Sequence, residues 1–256
     1  MRILIKFESN TNQVYQNNYF HKFSGFVYNL LKETPFRDLH DQKSYKFFCF
    51  SNLFPVRDIK KGEIRNFIIS SPSKLFIKTL SKKLNELDDV YIGDYSFRIK
   101  EFSLFQIKLR KNCKLISATP IMIRIPESKY NKYEIPEELR KRRYVYWRLG
   151  IDFSPFVKQL EANLFKKYNN FYKTKIKEFP IFEQFRFIKP SSNILTIKCT
   201  DYSVIGSLWE FSFSHLTKEQ KEILEFGIDC GFGERNTYGF GFINIRKGFK
   251  MNFEKK

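Results

Sequence analysis

Three histidines, His21, His40 and His215, are the side chains of this 256-residue chain whose ordinary pKa lies closest to neutrality. An imidazole titrates at about pH 6.5, so it can give or take a proton at neutral pH without special tuning. These residues therefore favour general acid–base chemistry. His40 lies just after a segment with helical periodicity, in a stretch that predicts a loop or a helix end.

The cysteines do not follow a metal-binding pattern. There is no CxxC pair, and no histidine lies at zinc-finger spacing. A metal cluster of Asp38, His40 and Asp41 lacks a fourth partner at a recognisable spacing. We therefore expect no metal and no cofactor, and reduced, buried thiols typical of a cytoplasmic protein. The four cysteines are Cys49, Cys113, Cys199 and Cys230.

Glycines are concentrated near the end of the chain, where five of the 11 fall within fifteen residues. Glycine permits positive φ and close approach of another backbone, so this density predicts a loop that contacts a phosphate chain. A structural turn with a bulge is the alternative. The loop follows a predicted helix and leads into a strand, whereas Rossmann and Walker loops lead from a strand into a helix. The glycines are Gly227, Gly231, Gly233, Gly239 and Gly241.

The net charge indicates a polyanionic partner. Lysine and arginine number 46 against 27 acidic residues, a formal charge of +19. Nucleic acid is the first expectation, and an anionic membrane surface is the second. Basic residues at 140–143 precede Tyr144, Tyr146 and Trp147, and a second basic run covers 158–177. Cations can hold phosphates while rings stack on unpaired bases, although each cluster alone also fits a solvated surface.

The composition excludes several classes of protein. With 42% hydrophobic and 29% charged residues, the chain is typical of a globular protein rather than a disordered one. No apolar run approaches the roughly 18–20 residues that cross a bilayer. The opening residues 1–8 alternate charged and apolar side chains, which predicts a strand rather than a signal peptide.

The first half predicts the order β-α-β-β-α-β of a ferredoxin-like unit. Helical spacing from residue 17 to 32 places Phe20, Phe23, Val27, Leu30 and Leu31 on a buried face. His21, Ser24 and Tyr28 lie on a more polar stripe of that helix. The second helix, 73–87, is predicted to bury Leu75, Leu80, Leu84 and Leu87. Strands are predicted over 1–8, 46–53, 65–70 and, as one or two strands, 90–105.

The second half predicts the same plan. A strand over 113–125, with Pro120 at an edge or bulge, precedes a long basic loop over 126–152. A capping-box pattern at Thr217 opens a helix to about residue 229. The other elements are a helix over 154–168 and strands over 182–188, 194–199, 204–213 and 240–245. The predicted fold class is therefore α+β, a tandem of ferredoxin-like (RRM-like) domains covering 1–112 and 113–256.

Two Gly-x-Gly triplets separated by five residues, between a terminal helix and a terminal strand, resemble the signature of the RAMP superfamily of RNA-binding proteins. Within it, the chain resembles the CRISPR-associated endoribonucleases of the Cas six family over nearly its whole length. Residues 1–5, 118–121 and 163–168 add to this resemblance. It implies two ferredoxin-like domains and metal-independent cleavage of precursor CRISPR RNA within each repeat.

The resemblance also implies catalytic residues. Tyr28 matches a candidate general base, His40 a candidate general acid, and Lys46 a stabiliser of developing charge. A tyrosine is a poor base at neutral pH unless a cation lowers its pKa, so the acid and base assignments are open to exchange. His21 is an alternative or auxiliary histidine, and Lys43 is a close substitute for Lys46.

The expected function is that of an endoribonuclease of the hydrolase class, in which a 2′-hydroxyl attacks the neighbouring phosphate. The products would carry a 2′,3′-cyclic phosphate and a 5′-hydroxyl. The alternative within the superfamily is a non-catalytic guide-RNA scaffold, and a general RNA-binding protein is a further one. The sequence leaves open a homodimer and a place in a CRISPR effector complex. The expected RNA-binding residues are Gly231, Gly233, Arg235, Gly239 and Gly241, supported by Arg140, Arg142 and Arg143.

Overall fold

The first half of the chain folds as a five-stranded antiparallel sheet with strand order β2-β3-β1-β5-β4. The computed structural model describes residues 1–16, 19–140, 143–147, 150–197 and 200–246, with backbone alone at 194–197, 200 and 201. The strands are β1 (Arg2–Ser9), β2 (Cys49–Phe50), β3 (Ile64–Ser70), β4 (Asp89–Ile92) and β5 (Tyr95–Phe105). The helices are α1 (Phe20–Leu30) and α2 (Lys74–Leu84).

The second half forms a four-stranded antiparallel sheet with order β11-β6-β10-β9. Its strands are β6 (Cys113–Ser117), β9 (Gln184–Ile197), β10 (Thr200–Phe213) and β11 (Ile243–Ile245). Its helices are α3 (Phe153–Tyr172) and α4 (Lys218–Cys230), and β7 (Arg124–Pro126) pairs separately with β8 (Tyr144–Tyr146). If β4 is set aside as a hairpin extension, both sheets have the strand order of the βαββαβ unit. The predicted tandem ferredoxin-like fold is confirmed.

Local signals explain where the helices begin. The Ser73 hydroxyl accepts a hydrogen bond from the Phe76 N–H at 3.2 Å, which caps α2. Thr217 and Gln220 form the predicted capping box at the start of α4. The predicted buried face of α1 is confirmed at Phe20, Phe23, Val27, Leu30 and Leu31.

The predicted face of α2 is partly wrong. Leu80 and Leu84 are buried, but Leu75 is 62% exposed and Leu87 is also exposed. Phe76 and Ile77 take the inner positions instead. Leu75 and Phe76 are adjacent in sequence and lie on different sides of the helix. The spacing of apolar residues alone did not show which of the two sides is buried.

Several predicted strand limits are also wrong. Strand β6 ends at Ser117 and lies between β11 and β10, so Pro120 is neither at an edge nor in a bulge of it. Proline has no N–H for a ladder, which fits its place beyond the strand end. The strands predicted over 182–188 and 194–199 are one strand, β9, with Cys199 outside the described residues. The first predicted strand after α1 shortens to Cys49–Phe50, and the last begins at Ile243.

The two halves share buried contacts. Cys49 and Ile68 of the first half lie in the hydrophobic core of the second. The guanidinium of the fully buried Arg2 donates to the carbonyl oxygens of Ile228 at 2.9 Å and Ile243 at 2.6 Å. An arginine on β1 thus fixes the end of α4 and the start of β11 against the first sheet.

Two further sequence expectations concern cysteines and membranes. Cys49, Cys113 and Cys230 are buried and free, as predicted. In the part of the chain that the structure describes, no helix is both long and apolar enough to cross a bilayer.

Candidate active site

Helix α1 and the short 3₁₀ helix Arg37–His40 bring together the first two predicted catalytic residues. The rings of Tyr28 and His40 meet edge to face, with centroids 4.8 Å apart and planes at 88°. Tyr28 is half-buried and His40 is exposed. A substrate can therefore reach the imidazole while the phenol is held in place by its surroundings.

Lys46 completes this group. Its Nζ donates a hydrogen bond to the backbone carbonyl of His40 and lies 5.4 Å from the centroid of the Tyr28 ring. The six residues from His40 to Lys46 thus fold back so that an ammonium lies beside the Tyr28 ring and the His40 backbone. The three residues named from sequence are adjacent in the structure.

Asp41 orients the imidazole. Its carboxylate oxygen lies 2.8 Å from the His40 Nδ1. An ionised carboxylate only accepts hydrogen bonds, so Nδ1 carries a proton and Nε2 of the neutral ring carries the free lone pair. Sequence reasoning considered Asp41 only as a metal ligand and missed this role, although a carboxylate next to a histidine was a usable signal.

Burial governs the electrostatics of Tyr28. Desolvation raises the pKa of its phenol from 10.0 to about 12. The side chain of Thr237, close enough to act as a hydrogen-bond partner, partly offsets that rise. The phenol is therefore protonated at neutral pH, and the direction is opposite to the one that a base needs. Partial burial lowers the pKa of Lys46, and the nearby Asp41 carboxylate opposes that shift.

His21 lies apart from this group. It is on α1 seven residues before Tyr28, which is two helical turns or about 10 Å along the axis. Within the described ranges, no hydrogen bond, ion pair or ring contact links His21 to Tyr28 or His40. Lys43 is exposed on the connection between His40 and Lys46.

The glycine-rich loop, residues 231–241, is held from inside by a buried cation. Lys167 on α3 is 3% exposed, and its Nζ donates to Gly231 O at 2.9 Å, Gly233 O at 2.5 Å and Asn236 Oδ1 at 2.6 Å. Three acceptors match the three N–H groups of an ammonium. Lys167 belongs to the basic run predicted from sequence, but its charge faces the loop interior rather than solvent.

The glycines of this loop let its backbone pack closely against other parts of the protein. Gly239 has φ +83°, and a Cβ there would lie 2.5 Å from the Phe20 ring on α1. At Gly241, with φ +71°, a Cβ would lie 1.9 Å from the Phe232 carbonyl. The N–H groups of Gly239 and Gly241 donate to Asn236 O and Pro120 O. Close packing within the protein therefore requires these glycines, and their contact with RNA stays a prediction.

The predicted arginines differ in their surroundings. Arg235 is exposed at the tip of the glycine-rich loop, with its guanidinium carbon 5.9 Å from the Tyr238 ring centroid. Arg143 is also exposed. Arg140 donates to Ile135 O at 2.6 Å and Asn131 Oδ1 at 3.0 Å, within its own loop. Arg142 lies outside the described residues.

The loop and the first half meet at the candidate site. Thr237 and Tyr238 lie beside Tyr28, and Phe20 stacks on Phe240 with centroids 5.8 Å apart. Among the described residues, no three His, Cys, Asp or Glu side chains are grouped to hold a metal ion. The site is a surface cluster of one phenol, one imidazole, one ammonium and one carboxylate, next to an exposed arginine.

Comparisons with known proteins identify the family of this chain. A family model described as CRISPR associated protein Cas6, C-terminal, matches residues 106–245. The CRISPR-associated endoribonuclease Cas6 2 of Methanocaldococcus jannaschii is 32% identical over 235 residues, which cover 88% of this chain and 90% of the relative. The CRISPR-associated endoribonuclease Cas6 of Haloferax mediterranei is 27% identical over 255 residues, 96% of this chain and 93% of the relative.

A solved structure described as an RAMP protein binding different RNA substrates has the same fold. It superposes with a TM-score of 0.73 at 20% sequence identity, covering 96% of this chain and 100% of that one. Because the family model covers more than half of the chain and the first relative matches nearly all of it, this protein belongs to the Cas6 family of CRISPR-associated endoribonucleases.

Proposed function

We propose that this chain binds CRISPR repeat RNA and cleaves precursor CRISPR RNA within the repeat, by attack of a 2′-hydroxyl and without a metal ion. The observation that carries the proposal is the Tyr28–His40–Lys46 cluster, which contacts the glycine-rich loop through Thr237. Its groups suffice for this chemistry, which needs a base, an acid and a cation facing the developing charge. Products would carry 2′,3′-cyclic phosphate and 5′-hydroxyl ends.

His40 is the proposed general base. Asp41 holds the Nδ1 proton, so the Nε2 lone pair is available to take the proton of the 2′-hydroxyl. The exposure of His40 lets that hydroxyl approach within hydrogen-bonding distance. Asp41 acts as the positioning residue for this step.

Tyr28 is the proposed general acid. With its pKa raised to about 12, the phenol holds its proton at neutral pH and can donate it to the departing 5′ oxygen. This exchanges the roles that the family resemblance implies for the two residues. The exchange follows from the burial of Tyr28 and from the carboxylate on His40.

Lys46 is the proposed charge stabiliser. One of its N–H groups is directed to the His40 carbonyl, which leaves two to face a phosphate. Removal of one such preorganised donor typically costs about 100- to 1,000-fold in rate.

Binding would rest on the positive charge around this cluster. Arg235 and Arg143 are exposed and available to phosphates, and Arg140, Arg142 and the loop glycines are retained as supporting contacts. We place the RNA across the junction of the two ferredoxin-like units, which we divide near residue 112. The solved RAMP neighbour is itself described as binding RNA substrates, which supports RNA as the ligand.

The test uses a synthetic RNA copy of the CRISPR repeat from the genome that encodes the chain, with a metal chelator present. Wild type is expected to cut it once, with the stated termini, and His40→Ala is expected to bind it without cutting. His215→Ala is the matched control, since His215 is exposed and lies before α4. Binding without cutting by the wild type would favour the scaffold alternative, and a chelator-dependent loss of cutting would contradict the metal-free mechanism.

A further inference from the structure

The two-stranded sheet β7–β8 presents two chemically different faces. Ile125 and Val145 are paired in register and buried in a small core with Tyr130, Tyr133 and Ile135. Side chains alternate along a strand, so the flanking residues face the other way. The flanking residues are Arg124, Pro126, Tyr144 and Tyr146.

This second face is aromatic and rigidly supported. The rings of Tyr144 and Tyr146 pack edge to face, with centroids 5.3 Å apart. The Arg124 guanidinium carbon lies 5.1 Å from the Tyr144 ring centroid, and its Nε is 2.5 Å from the Glu234 Oε2. Glu234 neutralises Arg124 and fixes it as support for the ring rather than as a phosphate ligand. Tyr144 is nevertheless 37% exposed.

The aromatic face adjoins the glycine-rich loop. Glu234, which holds Arg124, is the neighbour of the exposed Arg235. Tyr146 and Tyr238 pack against the same buried cluster, which contains Phe240. Burial raises the pKa of Tyr146, and both Arg124 and Arg235 are near enough to oppose that shift. A continuous series of contacts therefore leads from Tyr144 through the loop to Tyr28.

We infer that Tyr144, supported by Tyr146 and Arg124, is a stacking platform for an unpaired RNA base that lies next to the cleavage site. Arg235 would hold a phosphate between the platform and the Tyr28–His40 pair. The inference rests on the proposed RNA-binding function and adds a nucleotide subsite to it. Every base has a π-face, so the platform grips single-stranded RNA with little sequence preference.

Two probes test the platform. The first is a fluorescein-labelled 12-nucleotide oligouridylate, and the second is the repeat RNA with single abasic substitutions, both measured by fluorescence anisotropy. Tyr144→Ala is expected to weaken oligouridylate binding by roughly 5- to 150-fold, the usual effect of losing one base–aromatic stack. Tyr144→Leu keeps apolar bulk and is expected to show the same loss, whereas Tyr144→Phe keeps wild-type affinity.

Tyr91→Ala is the matched control, because Tyr91 is 77% exposed on β4 at the far edge of the first sheet. One abasic position is expected to weaken wild-type binding while having no further effect in Tyr144→Leu. If Tyr144→Ala and Tyr144→Leu both bind both probes with wild-type affinity, the platform is overturned. An equal loss of affinity in Tyr91→Ala would also overturn it.

The two proposals fail separately. If wild type does not cut the repeat but Tyr144→Leu selectively loses oligouridylate binding, the cleavage proposal fails and the platform stands. If wild type cuts the repeat and Tyr144→Leu binds both probes like wild type, the platform fails alone. A wild type that binds neither probe overturns both.

Discussion

The rings of Tyr28 and His40 pack edge to face, with their centroids 4.8 Å apart and the two ring planes at 88°. The contact joins the last turns of α1 to the segment that follows it, so neither side chain is positioned by its own element alone. The proposed acid and the proposed base, both from one short stretch of chain, are thereby held side by side at the end of a helix.

The first prediction concerns the pH dependence of cleavage. Because burial raises the Tyr28 pKa from 10.0 to about 12, its acid form persists to well above pH 10. With this phenol as the acid, the single-turnover rate should stay level between pH 8 and about pH 10 rather than fall. A rate that keeps rising with pH to that point would instead identify Tyr28 as the base.

The second prediction concerns the same phenol. Tyr28→Phe removes the proposed acid and should slow cleavage by roughly 100-fold or more while the affinity for repeat RNA is unchanged. The control is Tyr91→Phe, which alters an exposed hydroxyl on β4. Single-turnover rates and anisotropy titrations measure the two quantities, and an unchanged rate in Tyr28→Phe would remove this residue from the mechanism.

The third prediction concerns the orientation of the imidazole. Asp41→Asn no longer enforces a proton on Nδ1, since an amide can either donate or accept. The cleavage rate should fall by roughly tenfold or more with RNA affinity retained. Asp38→Asn is the control. Asp38 belongs to the same turn, but its Oδ2 lies 3.5 Å from the Nε of Arg37. Equal rates for the two variants would show that Asp41 does not position His40.

The fourth prediction concerns the cation inside the glycine-rich loop. Lys167→Met leaves the buried Gly233 O and Asn236 Oδ1 without a donor and Gly231 O with only the weak Cys230 thiol, and each unsatisfied group costs about 1–3 kcal/mol. The unfolding free energy should fall by several kcal/mol, seen as an earlier thermal transition by circular dichroism. Lys166→Met removes a charge from the adjacent exposed position and should leave that transition in place. Coincident transitions in the two variants would contradict the role of Lys167.

The fifth prediction separates packing from backbone strain. Gly62 and Gly239 have nearly the same φ, +80° and +83°, but a Cβ at Gly62 meets nothing within 4 Å, whereas one at Gly239 meets the Phe20 ring. Gly62→Ala should lower the free energy of unfolding only by the strain of a left-handed backbone at a non-glycine residue, about 1–2 kcal/mol. Gly239→Ala should lower the free energy of unfolding by a larger amount. It should also slow cleavage, because the loop must move away from α1. If the two variants have equal stability and activity, the contact with Phe20 is unimportant.

The sequence predicted the order of the elements well, because alternation and helical spacing persist over long segments such as β1 and α1. It predicted the buried face less well on α2, where Phe76 and Ile77 are buried and the neighbouring Leu75 is exposed. Strand β8 has three residues, too few to show a period, and it lay inside the loop predicted over 126–152, whereas β7 overlaps the end of the strand predicted over 113–125.

At the site, the family resemblance identified Tyr28, His40 and Lys46, and the structure groups them. The chemistry of a residue depends on its surroundings, which spacing does not report. Lys167 and Lys166 are adjacent in sequence, yet one is buried and the other exposed. The acid and base assignment likewise needed the burial of Tyr28 and the contact between Asp41 and His40.

The position of Arg2 bears on any attempt to dissect this protein. Its guanidinium on the first strand donates hydrogen bonds to the backbone carbonyls of Ile228 and Ile243, more than two hundred residues away. In a fragment ending near residue 112, Arg2 would lose both carbonyl acceptors, and Cys49 and Ile68 would lose the apolar core that covers them, while the complementary fragment would lose a donor. Expression of either half by itself should therefore yield an aggregating chain, and reconstitution would require both pieces to refold together.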